Sequence, residues 1–194
     1  SNMELELQNS KNGAVAVTEA HNELLRFYYT PKVSYLCDEL YEQEEKSCWE
    51  LCCPENVGRW SAVGYYFARK LAAQLDVPVG IIGCNWGGTS ASCWMSREAL
   101  ENDKVISSYV EEYDAIVAEQ DFDAYCKERE EYIVYQAEFD KNCKHYYETT
   151  PNPTWEGALE VCGENKYPGP MGPRSEYRPA GLYETMIQRI APYT

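Results

Sequence analysis

Asn85-Trp86-Gly87-Gly88-Thr89 directly follows an apolar run at residues 79–84, Val-Gly-Ile-Ile-Gly-Cys. In a parallel α/β sheet, sites form at the carboxyl ends of the strands. Two glycines at such an end let a backbone N–H approach a substrate closely. A tight turn with no further role is an equal reading of the same five residues. The chain contains neither Gly-x-x-x-x-Gly-Lys-Ser/Thr nor Gly-x-Gly-x-x-Gly, which excludes a nucleotide P-loop and a dinucleotide fingerprint. Serine catalysis needs a base, normally a histidine oriented by a carboxylate. His21 precedes a predicted strand and His145 falls in an acidic helical stretch. Neither occupies a strand end, and both read as surface or packing residues. The residues alone thus show part of a site, not a complete one.

Nine cysteines (Cys37, Cys48, Cys52, Cys53, Cys84, Cys93, Cys126, Cys143 and Cys162) form no regular frame. An odd, scattered set reads as reduced thiols, which favours a cytoplasmic location; a signal peptide lost with a missing amino terminus would instead mean secretion. Cys48, Cys52 and Cys53 lack the second ligand pair of a structural zinc site, so no metal and no cofactor is expected.

The elements that must position these residues follow from periodicity. Residues 24–29 are aromatic-rich and stop at Thr30-Pro31, the pattern of a short strand. Residues 31–57 show no clear period and read as loop, with a short strand at residues 33–36. Val63, Phe67, Leu71 and Leu75 recur every four residues, predicting a helix over residues 61–75 that Asp76 and Pro78 end. The continuous run at residues 79–84 suits a strand buried on both faces of a parallel sheet. Ser90 or Ser92 is placed to cap a short helix through Leu100. Helix, buried strand, Gly-rich turn and helix together give the class α/β.

Residues 101–148 hold fourteen of the 32 acidic residues and two apolar series spaced three and four apart. They predict one long helix or a helical hairpin broken near Asp121-Phe122-Asp123, with an aromatic stripe packed on the domain and a solvated acidic face. Residues 149–179 carry six of the ten prolines and read as an irregular loop. Residues 181–190 close with a helix whose Leu182, Met186, Ile187 and Ile190 share a face. Against the 32 acids stand 17 bases, a net charge of −15. An anion of this kind is repelled by phosphate backbones and acidic lipid, which argues against nucleic-acid and membrane partners. No apolar run approaches the ~18 residues that span a bilayer.

Several blocks together resemble a known family. Ser1-Asn2-Met3-Glu4 resembles the tail of the Gly-Gln-Ser-Asn-Met block of SGNH-type carbohydrate esterases; a Ser-Asn start also arises as an expression-tag scar. Cys53-Pro54-Glu55-Asn56-Val57 with Ser61-Ala62-Val63 resembles the Ser-Pro-Glu…Ser-Ala-Val segment of sialate O-acetylesterases. Val77-Pro78-Val79-Gly80-Ile81-Ile82, Trp86-Gly87-Gly88-Thr89 and Trp94-Met95-Ser96 resemble that family's Pro-(Ile/Val)-Gly-Leu-Ile…Trp-Gly-Gly-Thr…Trp-(Thr/Met)-Ser block. Residues 178–187 resemble its Pro-Ser-Gly-Leu-Tyr-Asn-x-Met-Ile helix.

The resemblance implies a three-layer α/β/α sandwich with a parallel sheet of the SGNH, flavodoxin-like kind. The chain would be its amino-proximal part, carrying a helical insert at about 101–148 and a Pro/Gly-rich loop at about 149–179. It implies a serine esterase that removes O-acetyl groups from a sugar, sialic acid above all. Ser1 would be nucleophile and oxyanion N–H donor, a glycine of the turn (Gly87 or Gly88) a further oxyanion donor, and Asn2, Trp86 and Thr89 the substrate contacts. Preorganised N–H groups at a developing oxyanion contribute several kcal/mol. The family's Asp-x-x-His block does not occur here, so base and carboxylate are expected outside this chain, and this stretch alone is expected to be inactive. Asn85 stands where the family has serine. Arg97 and Arg178 are candidates for a sialic-acid carboxylate by location only. An acetylxylan-type esterase and a non-catalytic carbohydrate-binding protein on the same fold are the alternatives.

Overall fold

Leu25 and Phe27 are fully buried between more exposed neighbours, and that period of two makes Asn22–Tyr29 a strand with one core-facing side. The computed structural model describes residues 2–193, without the side chains of residues 2 and 193. Its elements in chain order are α1 (Gly13–Thr18), β1 (Asn22–Tyr29), α2 (Asp38–Lys46), β2 (Glu50–Cys52), α3 (Pro54–Val57), α4 (Ala62–Leu75), β3 (Val79–Gly83), a 3-10 turn (Ala91–Trp94), α5 (Arg97–Glu101), α6 (Ser107–Glu119), α7 (Phe122–Thr149), α8 (Trp155–Cys162), a π-turn (Tyr183–Ile187) and α9 (Gln188–Ile190). The class is α/β.

The chain divides into two compact units, one formed by the residues up to Ser96 together with those from Ala180 onward, the other by Arg97–Pro179. In the first, the strands lie in the order β2-β1-β3. β1 and β3 are parallel, with Leu25 opposite Val79 and Tyr29 opposite Gly83. β2 runs antiparallel to β1, so the sheet is mixed and not all-parallel as expected. β3 is also not buried on both faces: among the described residues it is an edge strand, and Gly80 is exposed. A continuous apolar run reports hydrophobicity, not how many neighbours a strand has.

α4 forms where predicted. Ser61 accepts the Gly64 N–H as its N-cap, and Asp76 ends it in a left-handed conformation, φ 53°. Its buried face is not the predicted one. Ala62, Tyr65, Ala68 and Ala72 pack under the sheet with Leu25, Phe27, Val57 and Trp60, while Val63, Phe67 and Leu75 face outward. Small residues allow the helix to lie close to the strands: a Cβ on Gly64 would stand 3.3 Å from Ile81 Cγ2. The amino-terminal residues are fastened to the same layer, with the Leu7 and Gln8 N–H groups donating to the Trp60 and Gly58 carbonyls and Ala62 N–H to Leu5 O.

Three segments read as loop or strand differ. Residues 33–36 form no strand. Asp38–Lys46 is helical although only Leu40 is buried; acids in its first turn and Lys46 in its last suit the helix dipole. Trp155–Cys162 is helical inside the predicted loop, capped by Thr154 accepting from Gly157 N–H. The Ser90 hydroxyl caps nothing, and a 3-10 turn and α5 stand in place of one short helix.

In the second unit the predicted hairpin breaks at Gln120-Asp121, where the Asp121 carboxylate caps α7 at Ala124 N–H. The aromatic stripe of α7 is covered from within the unit. Phe139 and Cys143 pack on Ala158 of α8. Farther along, Tyr125 and Tyr132 press on the loop, where a Cβ on Gly172 or Gly169 would meet their rings at 2.5 and 2.4 Å. Gln120 Nε2 to Met171 O (2.9 Å), Tyr135 Oη to Glu164 O (2.7 Å) and the Arg129–Glu176 ion pair (3.1 Å) fasten the rest of the loop.

Candidate functional site

β1 and β3 run the same way, so their carboxyl ends lie together and carry the residues of interest. Thr30, just past β1, is buried; its N–H and hydroxyl both donate to the Gly83 carbonyl at the end of β3, at 3.2 and 2.8 Å. Sequence reasoning passed over Thr30, since no motif marks it. Beyond Gly83 the chain turns through Trp86-Gly87-Gly88-Thr89. Gly88 has φ 82°, a left-handed value that favours glycine. The Thr89 hydroxyl donates to the Trp86 carbonyl (2.7 Å) and accepts from the Trp94 indole N–H (2.9 Å), locking the turn from inside. Trp86 and Trp94 rest with Cys84 on buried Cys93, Leu182 and Met186. Ala180 N–H donates to Ser92 O at 2.9 Å, which ties the last helical run to this corner.

Burial pushes the Cys84 thiol up, and its hydrogen bond with Thr30 offsets part of the shift. The thiol is therefore protonated near neutral pH and a poor nucleophile. Ser90 Oγ lies 2.7 Å from Ser92 Oγ and 3.3 Å from Cys93 Sγ. A cavity of about 220 Å³ opens on the same unit, lined among others by Thr30, Trp49, Thr185 and Arg189. The Arg189 guanidinium is held by Glu44.

Ser1 lies outside the described residues, and so does the side chain of Asn2. The backbone of residues 2–4 forms a 3-10 turn. Glu4 pairs with Lys32, two residues beyond Thr30, which brings the start of the described chain to the carboxyl end of β1. Gly87, Gly88, Trp86 and Thr89 occur together in one turn at the carboxyl end of β3. His21 belongs to the other end: it precedes β1, whose eight residues extend ~26 Å. His145 lies on α7, in the other unit. Arg97 is already engaged by Asp114 and Glu101, which hold its guanidinium firmly protonated. Among the described residues, no group of three or more His, Cys, Asp or Glu could hold a metal ion, and no helix is long and apolar enough to cross a membrane.

No family model matches this chain. Among solved structures, it is similar to a carbohydrate acetylesterase from Xanthomonas citri, with 33% identity and a TM-score of 0.45, over 54% of this chain and 24% of that one. Among curated proteins, it is similar to sialate O-acetylesterases. The Rattus norvegicus protein is 44% identical over 41 residues, 21% of this chain and 8% of that protein. The Homo sapiens and Pongo abelii proteins are each 36% identical over 58 residues, 27% of this chain and 11% of theirs. The resemblance read from the sequence is thus shown. The match spans about a tenth of the length of these relatives.

Proposed function

We propose that this chain contributes the nucleophile and the oxyanion-binding turn of a carbohydrate O-acetylesterase. Ser1 attacks the acetyl carbonyl. Its own N–H and that of Gly87 or Gly88 hold the oxygen as it gains negative charge, while Asn2, Trp86 and Thr89 border the small acetyl pocket. The surrounding fold is a three-layer α/β/α sandwich of the SGNH kind, with the 101–148 helices and the 149–179 segment as an insertion into it. The histidine base and its carboxylate come from elsewhere in the full protein, and the 194 residues alone turn over little or no substrate.

One observation carries the reading. The Trp-Gly-Gly-Thr turn follows the carboxyl end of β3, and Glu4, near the start of the described residues, pairs with Lys32 just past the carboxyl end of the parallel neighbour β1, so both belong to the same end of this strand pair. A nucleophile and a donor pair must meet in this way.

Sialic acid is the favoured sugar, from the names of the curated relatives. A neutral acetylated glycan such as acetylxylan is the second reading. It draws on the net charge of −15 and on Arg97, whose charge two carboxylates already occupy.

The test is p-nitrophenyl acetate hydrolysis by the full reading frame beside its Ser1→Ala variant. Loss of the nucleophile is expected to lower kcat on the order of a millionfold, to background. Hydrolysis unchanged by the substitution would sink the proposal. Acetate release from 9-O-acetylated sialic acid and from acetylxylan then separates the two sugars.

A further inference from the structure

We infer that the Arg97–Pro179 unit carries a glycan-binding cleft of its own, selective for neutral sugars. The cleft lies along α7 and has a volume of about 580 Å³, within the range of small-molecule sites. Its walls combine two kinds of group. Trp155 and Tyr167 line it with their rings nearly half exposed, 44% and 47%. Each ring is steadied by another aromatic of the lining, Trp155 by an edge-to-face contact with Phe139 and Tyr167 by one with Tyr177 at 5.0 Å. Rigid, half-exposed rings are what the apolar C–H face of a pyranose packs against, and aromatic side chains provide large contact area with few rotors to freeze.

The lining also carries amides with capacity to spare. Gln136 donates through Nε2 to Asp140 at 2.9 Å, while its Oε1 is buried and has no partner. A buried acceptor left unmade is destabilising unless a ligand supplies a donor. Asn165 uses its carbonyl on Tyr167 N–H at 3.1 Å and offers its NH₂ donors. A sugar hydroxyl both donates and accepts, so it suits either amide.

Charge decides the class of sugar. Residues 97–179 carry nineteen acids against nine bases. Among the described residues lining the cleft are Asp140 and Glu176 and no lysine or arginine, and Glu176 is already paired with Arg129. An anionic sugar would enter against this field with no cation to receive it. A neutral glycan meets no such cost. Only the purpose of this cleft, holding a neutral polymer such as acetylxylan whose acetyl groups are removed, rests on the second esterase reading above; the binding does not.

The test uses the full reading frame and unacetylated probes, so catalysis plays no part. Xylohexaose, mannohexaose and hexagalacturonic acid are titrated calorimetrically into the protein and into Trp155→Ala and Tyr167→Ala variants. The expected result is binding of at least one neutral hexasaccharide, weakened about tenfold or more by each variant, the equivalent of ~1.4 kcal/mol. Hexagalacturonic acid is expected not to bind. Far-UV circular dichroism and melting curves monitor folding. If either aromatic variant unfolds, Gln136→Met, which keeps the side chain's length and removes its amide, is expected to give the same loss. Absence of binding by both neutral sugars, binding indifferent to the substitutions, or equal binding of the anionic sugar overturns the inference. A protein without esterase activity that still binds these probes would refute the esterase proposal alone.

Discussion

Thr89 holds the Gly-Gly turn through two hydrogen bonds made by a single hydroxyl, one to the Trp86 carbonyl and one from the Trp94 indole. Thr89→Val keeps the shape and removes both. The half-buried indole N–H then loses its acceptor, and the expected cost is about 1–3 kcal/mol, read as a lower melting temperature; Thr89→Ser is expected to retain most of the stability. Gly88→Ala leaves the N–H in place but forces a side chain into a left-handed conformation, at about 1–2 kcal/mol. A drop in esterase rate for this variant of the full protein would tie the backbone geometry to chemistry. The thiols provide a third check. Burial raises the Cys84 and Cys52 pKa values, so at pH 7–8 both remain largely protonated and slow. Exposed Cys48 is expected to be alkylated first in a mass-resolved labelling course, with Cys84 and Cys52 following only as pH rises or the fold opens. The turn was legible in the sequence because glycine pairs after an apolar run are distinctive. Thr30 was not, because its role depends on a strand 53 residues away.

At the scale of elements, periodicity found α4 and misjudged its phase. The large apolar residues at 63, 67 and 75 mark a hydrophobic stripe, but the sheet accepts the narrower stripe of Ala62, Ala68 and Ala72 beside Tyr65. Ala68 is 0% exposed and Phe67 68%. Ala68→Leu is therefore expected to destabilise by about 1–3 kcal/mol through overpacking, and Phe67→Gln to change stability by no more than about 0.5 kcal/mol. The opposite order in chemical denaturation would restore the sequence's own assignment. The break between α6 and α7 was legible, since Asp121 is a good cap residue between two periodic runs. Asp121→Ala is expected to cost about 0.5–2 kcal/mol. The helices Asp38–Lys46 and Trp155–Cys162 were hidden for different reasons. The first has too few apolar residues to show a period, and the second is flanked by prolines and interrupted by Gly157, whose missing Cβ makes room for the Tyr146 hydroxyl.

At the scale of the whole molecule, the sequence announced a boundary through composition: acidic residues thicken after residue 100, and prolines after 150. The structure draws the division at Arg97 and Pro179. Ser1, the proposed nucleophile, lies outside the described residues. The Ala180 N–H to Ser92 carbonyl bond has one more consequence. The chain leaves the first unit within a few residues of Ser92 and rejoins it at Ala180, so the points of departure and return are stitched side by side. A detour of this form is modular: 83 residues can be lengthened, exchanged or deleted in a gene without rethreading the strands, provided the seam survives. On the two proposals above, substrate range and catalytic competence would then diverge independently, with new glycan preferences grafted at Arg97–Pro179 while the Trp-Gly-Gly-Thr turn stays as it is.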